Sequence, residues 1–311
     1  MRPLKTSAEV ISLRANITQR KRWDVIFGLL GILALALGLM TIATLLIDML
    51  IDGWVRFHPD FLSNFPSRHA GKAGILSAWV GSGLVMLVTA VVAVPLGVAA
   101  GVWLEEYAPK HWITDVIEIN VNNLAGVPSI IYGLLALGLF VYTFHLGQSV
   151  RTAGLTLALL ILPMVIVATR EAIRTIPQII REGAYALGAT QWQAVKHHIL
   201  PYSTPGILTG IIIGMSRAIG ETAPIITIGA LTFIAFLPPP PLTDVAPYLN
   251  FEWLSAPFTV MPIQIFSWTS RPEAAFQHNA AAASALLVLM TLTMNGLAIW
   301  LRYRLRKNLK W

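Results

Sequence analysis

Two ionisable residues, Arg217 and Glu221, lie inside a strongly apolar stretch of the chain, Gly206–Phe236. That stretch is long enough to cross a bilayer, which needs roughly 20 apolar residues. A charge at the centre of a membrane helix costs on the order of 2.5–3.5 kcal/mol. The i, i+4 spacing predicts that both side chains project from one face of a helix, where they can partly neutralise each other. The pattern indicates either an ion pair that fixes helix packing or a polar point on the path of a charged solute.

The residue types favour an anion as that solute. A guanidinium bonds two oxygens of an oxyanion with its planar fork and stays protonated at any physiological pH. We expect Glu221 either to compete for the guanidinium and so release the anion, or to keep Arg217 oriented while the path is empty. Thr222 is expected to add a hydroxyl donor. Arg170, at the inner end of another predicted span, is a weaker candidate for the same path, and contact with lipid headgroups is the alternative for it.

The composition identifies a membrane protein with several spans. Of the chain, 56% is hydrophobic and only 12% is charged, and the mean hydropathy is +0.68. The absence of cysteine excludes disulfides and Cys-based zinc sites. The histidines are scattered, so no His/Asp/Glu group has metal-ligand spacing. We therefore expect no metal and no cofactor, and no nucleophile–base pair points to an enzyme.

Six apolar runs predict an all-α membrane domain over residues 25–301, between basic cytoplasmic tails at 1–24 and 302–311. The first run is too long for a signal-peptide core and is interpreted as a retained span. The predicted spans are about Val25–Ile47, Gly74–Leu104, Leu124–Phe144, Thr152–Thr169, Gly206–Phe236 and Ala280–Leu301.

The distribution of cationic residues predicts the orientation. Most of the 22 Lys and Arg residues fall in the two tails and in the connectors 105–123 and 170–203. The positive-inside rule then places both termini and both connectors in the cytoplasm. The Pro- and Trp-rich segment 237–279 becomes an outer loop, in which Trp253 and Trp268 are interpreted as membrane-interface anchors. Because the positive excess lies beside the spans, we do not expect nucleic acid as a partner.

The connector 170–203 is the long amphipathic segment between spans. It is predicted to form a helix, a corner at Gly188, and a second helix that begins with a Thr190–Gln193 capping box and ends before Pro201. It could lie on lipid headgroups or dock a partner. The outline of a phosphate-binding loop here lacks the required lysine, because Ala189 stands in its place.

This connector resembles the cytoplasmic signature of bacterial ABC-importer permeases, Glu-Ala-Ala, then Gly, then Ile-x-Leu-Pro. The matching residues are Glu182, Gly183, Ala184, Gly188, Leu200 and Pro201. Gly183 replaces the central alanine, and His198 stands where the family usually has isoleucine. The resemblance implies the type I permease architecture, in which this pair of coupling helices docks an ATPase subunit.

Within that class the chain is similar to the A-type permease subunit of the phosphate-specific importer. The similarity rests on the segments Leu124–Gly133, Glu171–Pro177, Leu187–Trp192 and Arg217–Pro224. It implies a heterodimer with a C-type permease, two ATPase subunits, a periplasmic phosphate-binding protein and a location in the bacterial inner membrane. ATP hydrolysis would then occur on the partner subunits.

Three other functions remain open on the sequence. The first is an ABC permease for another oxyanion, such as molybdate or sulfate. The second is a secondary transporter or channel that works without ATP. The third is a membrane scaffold in which Arg217 and Glu221 serve packing alone.

Overall fold

The structure is a computed structural model that describes residues 7–242 and 248–307. This part of the chain is helical, and its β-structure is one isolated bridge between Leu242 and Leu249. The helices are α1 (Ser7–Gly53), α2 (Pro59–Ser63), α3 (Leu76–Val102), α4 (Trp112–Leu124), α5 (Ser129–Ala136), α6 (Val150–Arg174), α7 (Gln178–Ala186), α8 (Gln191–Ala194), α9 (Leu200–Gly220), α10 (Ala223–Thr227), α11 (Met261–Thr269) and α12 (Ala275–Lys307).

Helix α1 carries an unbroken apolar surface. The large hydrophobic side chains between Trp23 and Ile47 are exposed on every side of it. A helix that is hydrophobic all round belongs in lipid or in a protein core. Among the described residues, 7–51 form a unit of their own.

In the part of the chain that the structure describes, five helical segments are long and apolar enough to cross a membrane, and a bent pair of helices makes a sixth if it is counted as one span. The bend of 107° separates α4 from α5 and the π-helical turn Leu137–Thr143 that follows it. The break falls in the predicted turn before Ser129, where Pro128 cannot donate a backbone hydrogen bond. The predicted number of six is reached when this pair counts as one span.

The predicted span Gly206–Phe236 is wrong at both ends. The helical run begins at Gln191 and ends at Gly220, and the short α10 follows after two non-helical residues. In a continuous helix the ring of Pro224 would clash with the carbonyl of Gly220, and glycine itself has low helix propensity. The helix therefore ends at Gly220, where the low helix propensity of glycine and the clash with Pro224 act at the same position.

The second connector helix does not end before Pro201, contrary to the sequence prediction. Helix α8 continues through a π-helical turn, Val195–Ile199, directly into α9. Proline is tolerated here because it lies in the first turn of α9. The buried Val195 and Ile199 pack against Val102 and Ile173, which holds the run in place.

Small residues let α3, α6 and α9 pack closely. A Cβ atom at Gly101 would lie 2.6 Å from the Thr169 Cβ, and one at Gly206 would lie 2.7 Å from the Ala172 Cβ. Lipid supplies no hydrophobic driving force between spans, so close van der Waals packing of this kind stabilises the helix bundle instead.

The order of the facing residues gives the helix directions. Gly97 and Gly101 of α3 face Val165 and Thr169 of α6, so these two helices are parallel. Gly206 and Gly210 of α9 face Ala172 and Ala168, so α9 is antiparallel to α6. The C-terminal ends of α3 and α6 and the start of α9 therefore lie at one end of the bundle, hereafter the connector end.

Helix α12 is also antiparallel to α9, because Arg302 donates to Thr209 at 2.7 Å and Ser216 donates to Asn295 at 2.6 Å. Its C-terminus thus lies at the connector end, as the charge distribution predicts. Residues 1–6, 243–247 and 308–311 of the predicted tails and outer loop lie outside the described residues.

The segment predicted as an outer loop contains a helix and part of the core. Helix α11 buries most of one face, and Trp253 and Trp268 are 7% and 0% exposed. The ring of Trp268 lies between those of Phe61 and Phe276. The interpretation of these tryptophans as interface anchors is wrong, because their rings fill the interior.

Candidate functional site

Arg217 and Glu221 form an ion pair at the end of α9. Arg217 Nε lies 3.1 Å from Glu221 Oε1. Glu221 is the first residue after the helix and has an extended backbone, so the two side chains meet although only Arg217 is helical. Their side chains are 34% and 17% exposed. The pair is therefore neither locked in the core nor fully open.

The pair lies beside a second predicted motif, the segment 124–133. Within this segment the Tyr132 hydroxyl donates to the Leu124 carbonyl at 2.8 Å. Next to it, Gly133 faces α10. A Cβ at this glycine would lie 2.6 Å from the Pro224 Cα and would collide with the Thr227 hydroxyl. Segments 90 residues apart in the chain thus form one surface around Arg217.

Helix α9 is also fixed by a polar contact to α12 that sequence reasoning missed. Ser216 Oγ donates to Asn295 Oδ1 at 2.6 Å and so ties α9 to α12. The signal was a lone asparagine within the last apolar run, since polar side chains inside spans usually bond to another helix. Arg217, the next residue, is held on a helix that is anchored on both sides.

Thr222 stands at the break between α9 and α10. It lines an open groove together with Gly220, Ile226, Pro262 and Phe266. Its hydroxyl has no hydrogen-bond partner among the described residues, so it is available to a ligand in this groove.

Arg170 is not part of this surface, and the headgroup interpretation is wrong as well. It is 4% exposed, and its guanidinium lies 2.7 Å from Glu118 and 3.5 Å from Glu105. Arg174 joins the same two carboxylates at 3.3 and 2.9 Å. By the pairing of α6 with α9, Arg170 lies about nine residues below Arg217, roughly 14 Å along the helix axis. We define Glu105, Glu118, Arg170 and Arg174 as the connector-end cluster, which sequence reasoning missed because its members are far apart in the chain.

The connector itself has the predicted helix, corner and helix. Gly188 has a φ of +81°, a value that favours glycine, and Ala189 donates to the Ala184 carbonyl across the corner. The Thr190–Gln193 capping box is present.

Two large apolar side chains are exposed on the outer surface of the connector. Leu187 is 91% exposed and Ile179 is 74% exposed, whereas Ala184 is buried against the protein. Glu182 and Gly183 are exposed, and Leu200 and Pro201 lie half-buried in the first turn of α9. An exposed helix pair with large apolar side chains is suited to docking.

Residues 93–311 match the family described as "Binding-protein-dependent transport system inner membrane component". The chain belongs to this family. Membership makes it a multi-pass inner-membrane permease that works with an ATPase, a substrate-binding protein and a second permease.

Curated relatives share much of the length of this permease. It is 33% identical over 242 residues to the phosphate transport system permease protein PstA of Yersinia pestis, covering 76% of this chain and 75% of the relative. It is 34% identical over 226 residues to PstA of Mycobacterium leprae, covering 72% and 69%. It is 30% identical over 275 residues to the probable ABC transporter permease YqgI of Bacillus subtilis (strain 168), covering 84% and 88%. These relatives confirm the resemblance to A-type permeases.

The fold of this permease matches a solved ABC importer. An inward-facing structure of the MetNI methionine ABC transporter aligns with a TM-score of 0.54 at 17% identity, covering 74% of this chain and 95% of the other. The predicted type I permease architecture is confirmed.

Proposed function

We propose that this permease forms half of the path of an ATP-driven importer of inorganic phosphate. The observation that carries the proposal is the partly exposed Arg217–Glu221 pair, which lies at a helix break within the segment Arg217–Pro224. The relatives named for phosphate transport support the choice of anion.

The chemistry of the pair suits a transient contact. Phosphate is strongly hydrated, and moving it through a low-dielectric region requires groups that replace its water. The Arg217 guanidinium supplies charge-assisted donors. The Thr222 hydroxyl, which has no partner among the described residues, supplies another. A purely attractive site would trap the anion. Glu221 Oε1 lies 3.1 Å from Arg217 Nε, so this carboxylate can replace the departing phosphate as the partner of the guanidinium.

The partners follow from the class of transporter. A C-type permease completes the path, a periplasmic phosphate-binding protein delivers the anion, and two ATPase subunits hydrolyse ATP. The exposed connector around Glu182, Gly183 and Leu187 docks one ATPase subunit, and Gly188 sets the angle between its helices. The connector end then faces the cytoplasm, together with both termini.

Uptake measurements on the assembled complex in proteoliposomes test this function. Arg217→Ala should lower phosphate uptake at least tenfold, a loss of about 1.4 kcal/mol. Arg217→Lys should retain part of the uptake, because the charge remains but the bidentate fork is lost. The matched control is Arg68→Ala, which removes an exposed arginine from the segment between α2 and α3.

The same vesicles discriminate the substrate. Labelled phosphate, sulfate and molybdate should compete unequally, with phosphate preferred. Uptake of sulfate or molybdate in preference to phosphate would contradict the proposal, as would phosphate flux that continues without ATP.

A further inference from the structure

A buried ion pair between Glu106 and Arg181 joins the connector to the spanning helices. We propose that this contact is the joint through which movement of α7 reaches α3 and α6 during transport. The inference rests on the proposed coupling of α7 to an ATPase. It assigns a positioning role to two residues that do not touch the substrate.

Two consecutive carboxylates, Glu105 and Glu106, lie in the π-helical turn Trp103–Tyr107 that follows α3. Glu105 bonds α6 through Arg174 at 2.9 Å, while Glu106 bonds α7 through Arg181. Two adjacent side chains thus connect the end of one span to two different helices.

Arg181 makes more than an ordinary surface contact. Its Nε and Nη2 atoms donate to the same Glu106 oxygen at 3.1 and 2.7 Å. Its guanidinium also donates to the carbonyls of Ile176 at 2.8 Å and Ile173 at 3.2 Å, in and just after the last turn of α6. One side chain therefore holds the ends of α3 and α6 to α7.

Burial makes the contact costly to break, because loss of one partner leaves the other charge uncompensated. The side chains of Glu106 and Arg181 are 6% and 19% exposed, so little water screens their charges. An ion pair fully exposed to water contributes much less free energy.

The remainder of α7 has few other attachments. Ala184 is its one buried residue, and the large apolar side chain of Ile179 points outward. By contrast, the segment after the Gly188 corner is held by the buried Val195 and Ile199. Without Arg181, α7 could follow the ATPase while the spans stay still.

The first experiment measures phosphate uptake per ATP hydrolysed by the assembled complex. Glu106→Gln and Arg181→Met should lower this ratio about tenfold, within the 5–150-fold range typical of coupling between sites. ATP hydrolysis itself should persist, and Arg181→Lys should recover part of the ratio. The matched control is Glu171→Gln, which removes an exposed carboxylate at the same end. Among the described residues, this carboxylate bonds only to Arg174 of its own helix. A parallel fall of uptake and hydrolysis, with an unchanged ratio, would overturn the joint.

A second experiment needs no variant of the joint itself. Because the chain has no cysteine, the double variant Lys110→Cys/Gln178→Cys takes spin labels at these two positions and at no other in this subunit. Lys110 follows the turn at the end of α3, and Gln178 is the first residue of α7. If α7 and the end of α3 move together, the distance between the labels should be the same with and without bound ATP. A distance that changes with ATP in the otherwise unaltered complex would refute the proposal.

The two experiments separate the inference from the proposed function. If the unaltered complex takes up no phosphate, the proposed substrate is wrong, yet the label distance still tests the joint. If the unaltered complex transports phosphate and the Glu106 and Arg181 variants keep the same uptake per ATP hydrolysed, the proposed joint is wrong and the proposed function stands.

Discussion

The two charged regions of this permease differ in how many bonds hold each arginine. Arg217 has one carboxylate partner and is one-third exposed, at a place where the helix has just ended. Arg170 is 4% exposed and lies between two carboxylates that it shares with Arg174. A single partly exposed pair can exchange its partner for an anion, whereas a buried arginine with two carboxylate partners resists opening. The number of bonds around an arginine thus indicates whether it is suited to binding or to holding helices together.

The largest expected effect tests the holding role. Arg170→Met removes the buried guanidinium between Glu118 and Glu105, whose own side chains are 30% and 18% exposed. We therefore expect a loss toward the lower end of the about 3–5 kcal/mol that breaking a buried pair costs. We expect a clearly lower thermal midpoint of the detergent-solubilised complex. Arg151→Met, a change at the opposite end of α6, serves as the control. An unchanged midpoint would mean that the cluster contributes nothing to stability.

The next effect tests the close packing beneath Arg217. Gly133→Val puts a branched side chain against Pro224 and Thr227, and such overpacking costs about 1–3 kcal/mol. The thermal midpoint and phosphate uptake should both fall. Gly138→Val is the control, because open space surrounds that glycine. Equal effects of both variants would show that the α5–α10 contact does not position the site.

A smaller effect sharpens the exchange role of Glu221. Glu221→Gln removes the charge that competes with the anion, so the anion should leave Arg217 more slowly. Maximal uptake should fall about tenfold, or 1.4 kcal/mol, while the phosphate concentration for half-maximal uptake falls too. Rate curves against phosphate concentration measure both. A rise in that concentration would contradict the exchange mechanism.

The smallest effect concerns the support of α9. Ser216→Ala removes the hydrogen bond to Asn295, and such bonds between membrane helices average about 0.6 kcal/mol. The thermal midpoint should decrease slightly, and Asn295→Ala should produce no further loss when combined with it. Additive losses would show that the two residues act separately.

The sequence predicted the features that depend on neighbouring residues. The Gly188 corner, the Thr190–Gln193 cap and the break before Ser129 follow from local backbone chemistry. The Arg217–Glu221 contact also followed from i, i+4 spacing, although the helix ends between the two residues.

What the sequence left out depends on packing between distant segments. No local signal shows that Glu105 and Glu106 would meet α6 and α7, since 69 and 75 residues separate the partners. Trp268 resembled an interface anchor because its burial depends on Phe61 and Phe276. The helix through Pro201 likewise depends on the apolar contacts of Val195 and Ile199 with other helices.

The glycine contacts between α3 and α6 limit how the bundle can change shape. At Gly97 and Gly101 the opposing side chains begin within 2.8 Å of where a Cβ would stand. Sliding one helix by a single residue, about 1.5 Å, would bring a bulkier neighbour into that gap. These two helices must therefore tilt as one rigid body, and the displacement that opens the path has to occur at boundaries with longer and more compliant side chains.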